Sequence, residues 1–294
     1  MNIQKQDRKK TIRNLTIFTF AVIAFGWLGR GLDVKLGNPA TEGLGILLWI
    51  STPLLVSSLL RLFAGDGWKD FGFKPNFKGN GTWYAIALLV YPVATACILI
   101  IGSGLGMITL PNPTLSTLGL FSLAFVLAFL RDIIKNFFEE AAWRGYLAPK
   151  VYSLGLNDYV GHVIVGLVWG IWHIPYYLFY VNQADLQAFT TLSVAVYIPL
   201  AIFMMIAWAF VYGEIRLATN SIWPAVLMHT VEDALLFTLV IDRYIQILPG
   251  TDWLISPMNG LICATFFLAI GVGLRQLRLR KSQSLSDVSL VVPA

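Results

Sequence analysis

Charge is what this chain has least of. Asp, Glu, Lys and Arg make up 13% of its 294 residues, about half of the roughly 25% usual in a soluble domain. Apolar residues account for 57% and the mean hydropathy is +0.70. A soluble fold of this composition would expose apolar patches large enough to aggregate, so lipid must be the solvent for much of the surface. Cysteine is scarce too. Cys97 and Cys263 lie deep in apolar runs and no CxxC spacing exists, which points to packing rather than a disulfide or a thiolate metal site. The net charge of +5 comes with no long basic stripe. Basic residues gather instead at the ends of apolar runs, as the positive-inside rule expects, and this disfavours a nucleic-acid partner. The sequence also lacks an internal repeat, a low-complexity linker and a separate soluble domain.

What is present is a series of long apolar runs. A bilayer core about 30 Å thick needs roughly 20 apolar residues per helix. On that criterion eight spans are predicted, near 14–30, 42–63, 82–107, 116–147, 160–180, 191–213, 221–240 and 257–275. The fold expected is all-α, a polytopic transmembrane helical bundle. It forms a single membrane-embedded domain over 1–281 with its motif core at 115–240, followed by a polar, disordered tail over 282–294. The fourth run is too long for one simple span and carries Arg131, Asp132 and Lys135 midway; tilt, a bend or a segment outside lipid would each accommodate it. The first run follows Lys9, Lys10 and Arg13, but Gly26-Trp27-Leu28-Gly29-Arg30 lacks the small-residue pattern of a cleavage site. It reads as a retained signal anchor.

Lys and Arg set the orientation. Lys5, Arg8, Lys9, Lys10 and Arg13 precede the first span; Lys69, Lys74 and Lys78 follow the second; Arg275, Arg278, Arg280 and Lys281 follow the eighth. The loop Pro111-Asn112-Pro113-Thr114 carries no charge, and 181–190 carries only Asp185. An integral, multi-pass cell-membrane protein with both termini cytoplasmic fits this alternation. The aromatic and basic segment Trp68-Lys69-Asp70-Phe71-Gly72-Phe73-Lys74-Pro75 reads as an interfacial anchor.

Ionisable residues inside spans are costly, and each is a functional hypothesis. In Phe137-Phe138-Glu139-Glu140-Ala141-Ala142-Trp143-Arg144, Glu140 and Arg144 are i, i+4 neighbours on one helical face and can pair. Glu139 is rotated away and left free, a carboxylate suited to general acid–base work. The bland alternative is a structural ion pair at a wetted helix end. In Trp169-Gly170-Ile171-Trp172-His173-Ile174-Pro175, His173 shares a face with Trp169. Gly166 and Gly170 form a small-xxx-small pair that lets another helix approach closely, and Pro175 can bend the helix beside the histidine. A lone membrane histidine is also often no more than a hydrogen-bonding partner for a neighbouring helix. In His229-Thr230-Val231-Glu232-Asp233, His229 and Asp233 are i, i+4 and could orient a tautomer, bind a metal or hold a substrate oxygen. The third histidine, His162, reads as interfacial. Counting residues at 1.5 Å each puts His173 roughly 20 Å and His229 some 12 Å into their spans, so tilt, a later helix start or a kink must bring them level.

These three segments together resemble the signature of the CPBP family, the CAAX proteases and bacteriocin-processing enzymes also called the Abi family: EExxxR, then F/WxxxH, then HxxxN/D, on separate membrane helices in that order. The motifs occupy about 137–235; upstream helices resemble the family only in layout. The resemblance implies an intramembrane endopeptidase with a cavity open to the cytoplasmic side. Its partners would be membrane lipid and a protein or peptide substrate, lipid-modified in the prenyl-protein members. Carried over, Glu139 would be the general base, His173 would help hold the water and His229 would face the oxyanion, with Glu140 and Arg144 in support. Asp233 departs from the Asn of the eukaryotic-type enzymes. An ionised carboxylate only accepts hydrogen bonds where an amide also donates. Asp233 would then orient His229, or join Glu139, His173 and His229 as ligands of the type that suit zinc. Chemistry without a cofactor is the favoured reading and a zinc-dependent variant the alternative. Two other classes stand beside them: a non-catalytic immunity or scaffolding membrane protein, and a proton-relay transporter, which the absence of an inverted repeat disfavours.

Overall fold

The computed structural model describes residues 2–110 and 114–291. Among the described residues, eight helices are long and apolar enough to cross a membrane, and the chain is an integral, multi-pass helical membrane protein. They are α1 (Asn2–Leu36), α2 (Leu44–Phe63), α3 (Gly81–Gly104), α4 (Leu115–Ala142), α5 (Asp158–Trp172), α6 (Val194–Thr219), α7 (Trp223–Val240) and α8 (Leu261–Val291). Their positions track the predicted apolar runs closely, because in lipid only a helix satisfies every backbone group within its own segment. The uncharged loop at 111–113 lies outside the described residues. The eighth helix runs to Val291; between Leu261 and Val291 the only glycines are Gly271 and Gly273, and no proline interrupts the run.

The fourth run is long because it is three helical pieces in line. At its start Thr114 and Thr117 exchange capping bonds. After Ala142 the backbone widens into a π turn, Trp143–Leu147, and then returns to α geometry over Ala148–Tyr152. Such turns recur at functional sites. Here two buried guanidinium groups take the carbonyls of the widened turn. Arg216 Nε donates to Arg144 O at 2.9 Å, and Arg61 donates to Gly145 O. The fifth span likewise ends in a π turn, Tyr176–Tyr180, just past Pro175.

Of the eight spans α7 is the most buried and α4 the least. The centre of the bundle is therefore α7, flanked by α4, α3 and α6. Gly166 and Gly170 do what their spacing predicted. A Cβ on Gly166 would stand 2.5 Å from Ile206 Cα, and one on Gly170 3.1 Å from Ile202 Cα, so both lie where α5 crosses the backbone of α6. At the far end from the termini, β1 (Ile108–Thr109) pairs antiparallel with β2 (Gln246–Ile247).

Two expectations change. The 64–80 loop is more than an interfacial anchor, since it folds back as a strap over the helix ends beside the termini. Asp70 pairs with Arg61 at 2.7 Å and Lys150 at 2.9 Å. Ile222 N–H donates to Gly72 O at 2.9 Å, and Trp223 Nε1 donates to Phe73 O at 2.6 Å. His162 is not interfacial but fully buried. Its Nδ1 meets Tyr152 Oη at 2.9 Å and its Nε2 meets Glu214 Oε1 at 2.8 Å. Glu214 in turn pairs with Arg278 of α8 at 2.6 Å. The sequence could not show this, because the partners sit on three other segments.

Candidate active site

Glu139 and Glu140 lie one turn before the π turn, at the end of α4. Neighbouring positions on a helix point about 100° apart, and the two carboxylates meet different company. Glu140 is fully buried and pairs with Arg144 at 2.8 Å, as its helical phase predicted. The Arg144 guanidinium lies between two rings, 4.3 Å from the Trp169 centroid and 4.0 Å from that of Tyr212. Glu139 is less isolated than the sequence suggested. Lys135 Nζ stands 3.8 Å from Oε1, one turn back, while the buried Oε2 has no hydrogen-bond partner among the described residues.

His173 caps the C-terminus of α5. Its Nδ1 lies 2.9 Å from Trp169 O. A carbonyl only accepts, so Nδ1 carries the hydrogen and Nε2 is the nitrogen left to face the cavity. His229 turns out to be oriented by Glu140 rather than by Asp233. Its Nδ1 is 2.9 Å from Glu140 Oε1, whereas its Nε2 is 3.9 Å from Asp233 Oδ2. Asp233 is held by α4 instead, with Lys135 Nζ at 2.9 Å and Asn136 Nδ2 at 2.8 Å from Oδ2. Lys135 and Asn136 are the residues sequence reasoning passed over. The available signal was phase, since both precede the glutamates by three to five residues on the same side of α4.

The depth mismatch between the histidines disappears in the fold. The Trp169 ring bridges them, its centroid 6.1 Å from His173 and 5.7 Å from His229. Glu139, His173, His229 and Asp233 all line one cavity of about 290 Å³, with Lys135 and Glu232 on its wall. Glu232 accepts from Tyr212 Oη at 2.9 Å.

A zinc ion does not fit this donor set. Among the described residues no three His, Cys, Asp or Glu side chains converge as metal ligands. Between the carboxylates of Glu139 and Asp233 a lysine ammonium already supplies the positive charge. The nitrogen of His229 nearest Glu140 is committed to it. What the arrangement offers is acid–base chemistry: an unpartnered carboxylate oxygen, an imidazole with its lone pair toward the cavity, a second imidazole and a cationic donor.

Besides the motif residues, the cavity is lined by Ile46 and Ile50 of α2, Tyr176, Tyr197 and Met258, which lie toward the helix ends remote from the termini.

No curated protein matches the chain. Residues 118–235, which hold all three motifs, match the family model described as type II CAAX prenyl endopeptidase Rce1-like, a match that agrees with the CPBP family the motifs resemble.

Proposed function

We propose that this protein is an intramembrane endopeptidase that hydrolyses a peptide bond of a membrane-associated protein or peptide with water activated by Glu139. The observation that carries the reading is the unpartnered, buried Oε2 of Glu139 on a cavity shared with His173 and His229. In the first step Glu139 takes a proton from water while His173 Nε2 accepts a hydrogen bond from its other hydrogen. The water oxygen bonds to the scissile carbonyl carbon, and the carbonyl electron pair moves onto oxygen. In the second step the C–N bond breaks as that pair returns, and Glu139 gives its proton to the departing amine.

The oxyanion needs donors. His229 supplies one through Nε2–H when the ring is protonated, with Nδ1–H held by Glu140. Asp233 cannot supply the second as a carboxylate. Lys135 Nζ, 2.9 Å from Asp233 and 3.8 Å from Glu139, takes that role. In this reading Asp233 is a positioning residue for Lys135. Arg144 and Glu140 position His229.

The test is cleavage of a membrane-anchored reporter peptide by membranes holding equal amounts of each variant. Glu139→Gln and His173→Ala are each expected to lower turnover by about 10²–10⁴-fold, the usual range for a lost acid–base group. Undiminished turnover in both would rule out this mechanism.

A further inference from the structure

The side of the membrane from which this site is reached is fixed by two independent placements. The first is the position of the cavity along the helices. Ile46 and Ile50 lie two and six residues from the start of α2; Tyr176 lies four before Tyr180; Phe237 lies three before the end of α7. At 1.5 Å per residue each is within about 9 Å of a helix end. Every one of those ends leads into the loops 37–43, 181–193 or 241–260, on the face opposite the termini.

On the terminal side the site is shut. Below Glu140 stand Arg144, Trp143, Tyr146 and Tyr212, all essentially without solvent exposure. Beneath them the strap is tied down through Asp70, Arg61 and Arg216. The partly exposed lining residues, by contrast, are Ile46, Ile50, His173, Tyr176 and Phe237 with Lys135 and Arg131. They form a mouth between α2, α4 and α7. Arg131 is 67% exposed there, paired only sideways with Asp132, among the exposed apolar residues Leu127, Leu130 and Ile134. A guanidinium in bare hydrocarbon is costly; a wetted mouth removes that cost.

The second placement is charge. Loops 37–43, 105–114, 181–193 and 241–260 contain a single Lys or Arg, Arg243, with Arg30 and Lys35 nearby at the end of α1. The opposite face carries Arg8, Lys9, Lys10, Lys69, Lys74, Lys78, Arg278, Arg280 and Lys281 among others. The positive-inside rule puts the latter face in the cytoplasm.

We infer that the cavity opens to the non-cytoplasmic half of the membrane, and that its substrate is a membrane-associated peptide segment presenting its scissile bond in that half. The substrate clause rests on the peptidase reading; the direction of opening does not. A chain end anchored on the cytoplasmic surface would meet the strap and the buried Arg144 layer, not the cavity.

Cysteine labelling in the full chain tests this. In a background with Cys97→Ala and Cys263→Ala, single cysteines go in at the mouth (Ile50→Cys and, separately, Phe237→Cys). Reference cysteines go in at the two faces (Lys78→Cys and Leu248→Cys). Intact cells and inverted membrane vesicles are treated with a membrane-impermeant methanethiosulfonate. Leu248→Cys and both mouth positions are expected to label in intact cells and to lose labelling in inverted vesicles, with Lys78→Cys showing the reverse. Mouth cysteines that label together with Lys78→Cys, or that stay unlabelled from both sides while the references react, overturn the inference. So does a reversed pair of references. Labelling needs no turnover, so a failure here leaves the peptidase reading standing, and an inactive chain can still pass.

Discussion

Replacing Arg144 with Met tests the layer beneath the cavity most directly. The Glu140–Arg144 pair spans 2.8 Å between side chains that are 0% and 1% exposed. Removing one partner of a buried pair leaves an uncompensated charge and costs about 3–5 kcal/mol. The guanidinium also stacks on Trp169 and Tyr212, contacts worth about 2 kcal/mol or more each when desolvated. His229 Nδ1, bonded to the same Glu140 oxygen, offsets part of the loss, and about 4 kcal/mol remains a fair expectation for Arg144→Met. Glu140→Gln in the same background removes the stranded carboxylate. The double variant should therefore be much less destabilised than the two singles combined, with a coupling of about 2 kcal/mol or more, far above the ~0.5 kcal/mol that separates independent sites. Equilibrium unfolding in mixed micelles, titrated with a denaturing detergent and followed by tryptophan fluorescence, measures all four proteins. A coupling below about 0.5 kcal/mol would mean that the pair does not act as a unit and would refute the account of how His229 is held.

The same geometry predicts other outcomes. Lys135→Met should reduce cleavage, and adding Asp233→Asn should restore part of it, since an amide brings a donor to the position Lys135 vacated. If the double variant is no better than the single, Lys135 is not the second donor. Gly166→Ala should destabilise by about 1–3 kcal/mol because its Cβ meets backbone, and by more than Gly170→Ala, whose nearest neighbour is 0.6 Å farther away (3.1 against 2.5 Å); equal thermal stabilities would contradict the close crossing. In the strap, burial works to raise the Asp70 pKa, but Arg61 and Lys150 outweigh it and hold the carboxyl below its ordinary value. Its contribution is therefore complete above the unfolded value of about 3.9 and is lost as pH falls through the lower folded value. Asp70→Asn should be less stable than the parent at pH 6 and should lose less than the parent on acidification below about pH 4, read as thermal stability against pH. Parallel curves would exclude this pair as a source of acid sensitivity.

Much of this molecule was legible because lipid simplifies the reading. Hydropathy marked the eight spans, the 100° step of a helix paired Glu140 with Arg144, and the spacing of Gly166 and Gly170 marked a close crossing before any partner was known. Phase says which residues can meet, however, and not which do. His229 and Asp233 share a face of α7, yet each finds its nearest partner on α4, Glu140 for one and Lys135 with Asn136 for the other. The strap was hidden for the same reason. Asp70 looks like an interfacial residue until Arg61 and Lys150, 9 and 80 positions away, close on it. His162 was misjudged because its partners Tyr152 and Glu214 belong to other segments.

The π turn at Trp143–Leu147 has a consequence for how the fourth span tolerates change. A π turn is an α-helix with one residue to spare, and it uncouples the phase of the helix on its N-terminal side from the phase of the helix on its C-terminal side. Upstream, Glu139 and Glu140 are set by the cavity; downstream, Lys150 is set by the strap. Closing the turn into ordinary α-helix with every residue retained would swing its last segment by about 100°, carrying Lys150 off Asp70 while Glu140 stayed opposite His229. The spare residue acts as a coupling joint, letting one rod answer to two surfaces that do not share a common angle.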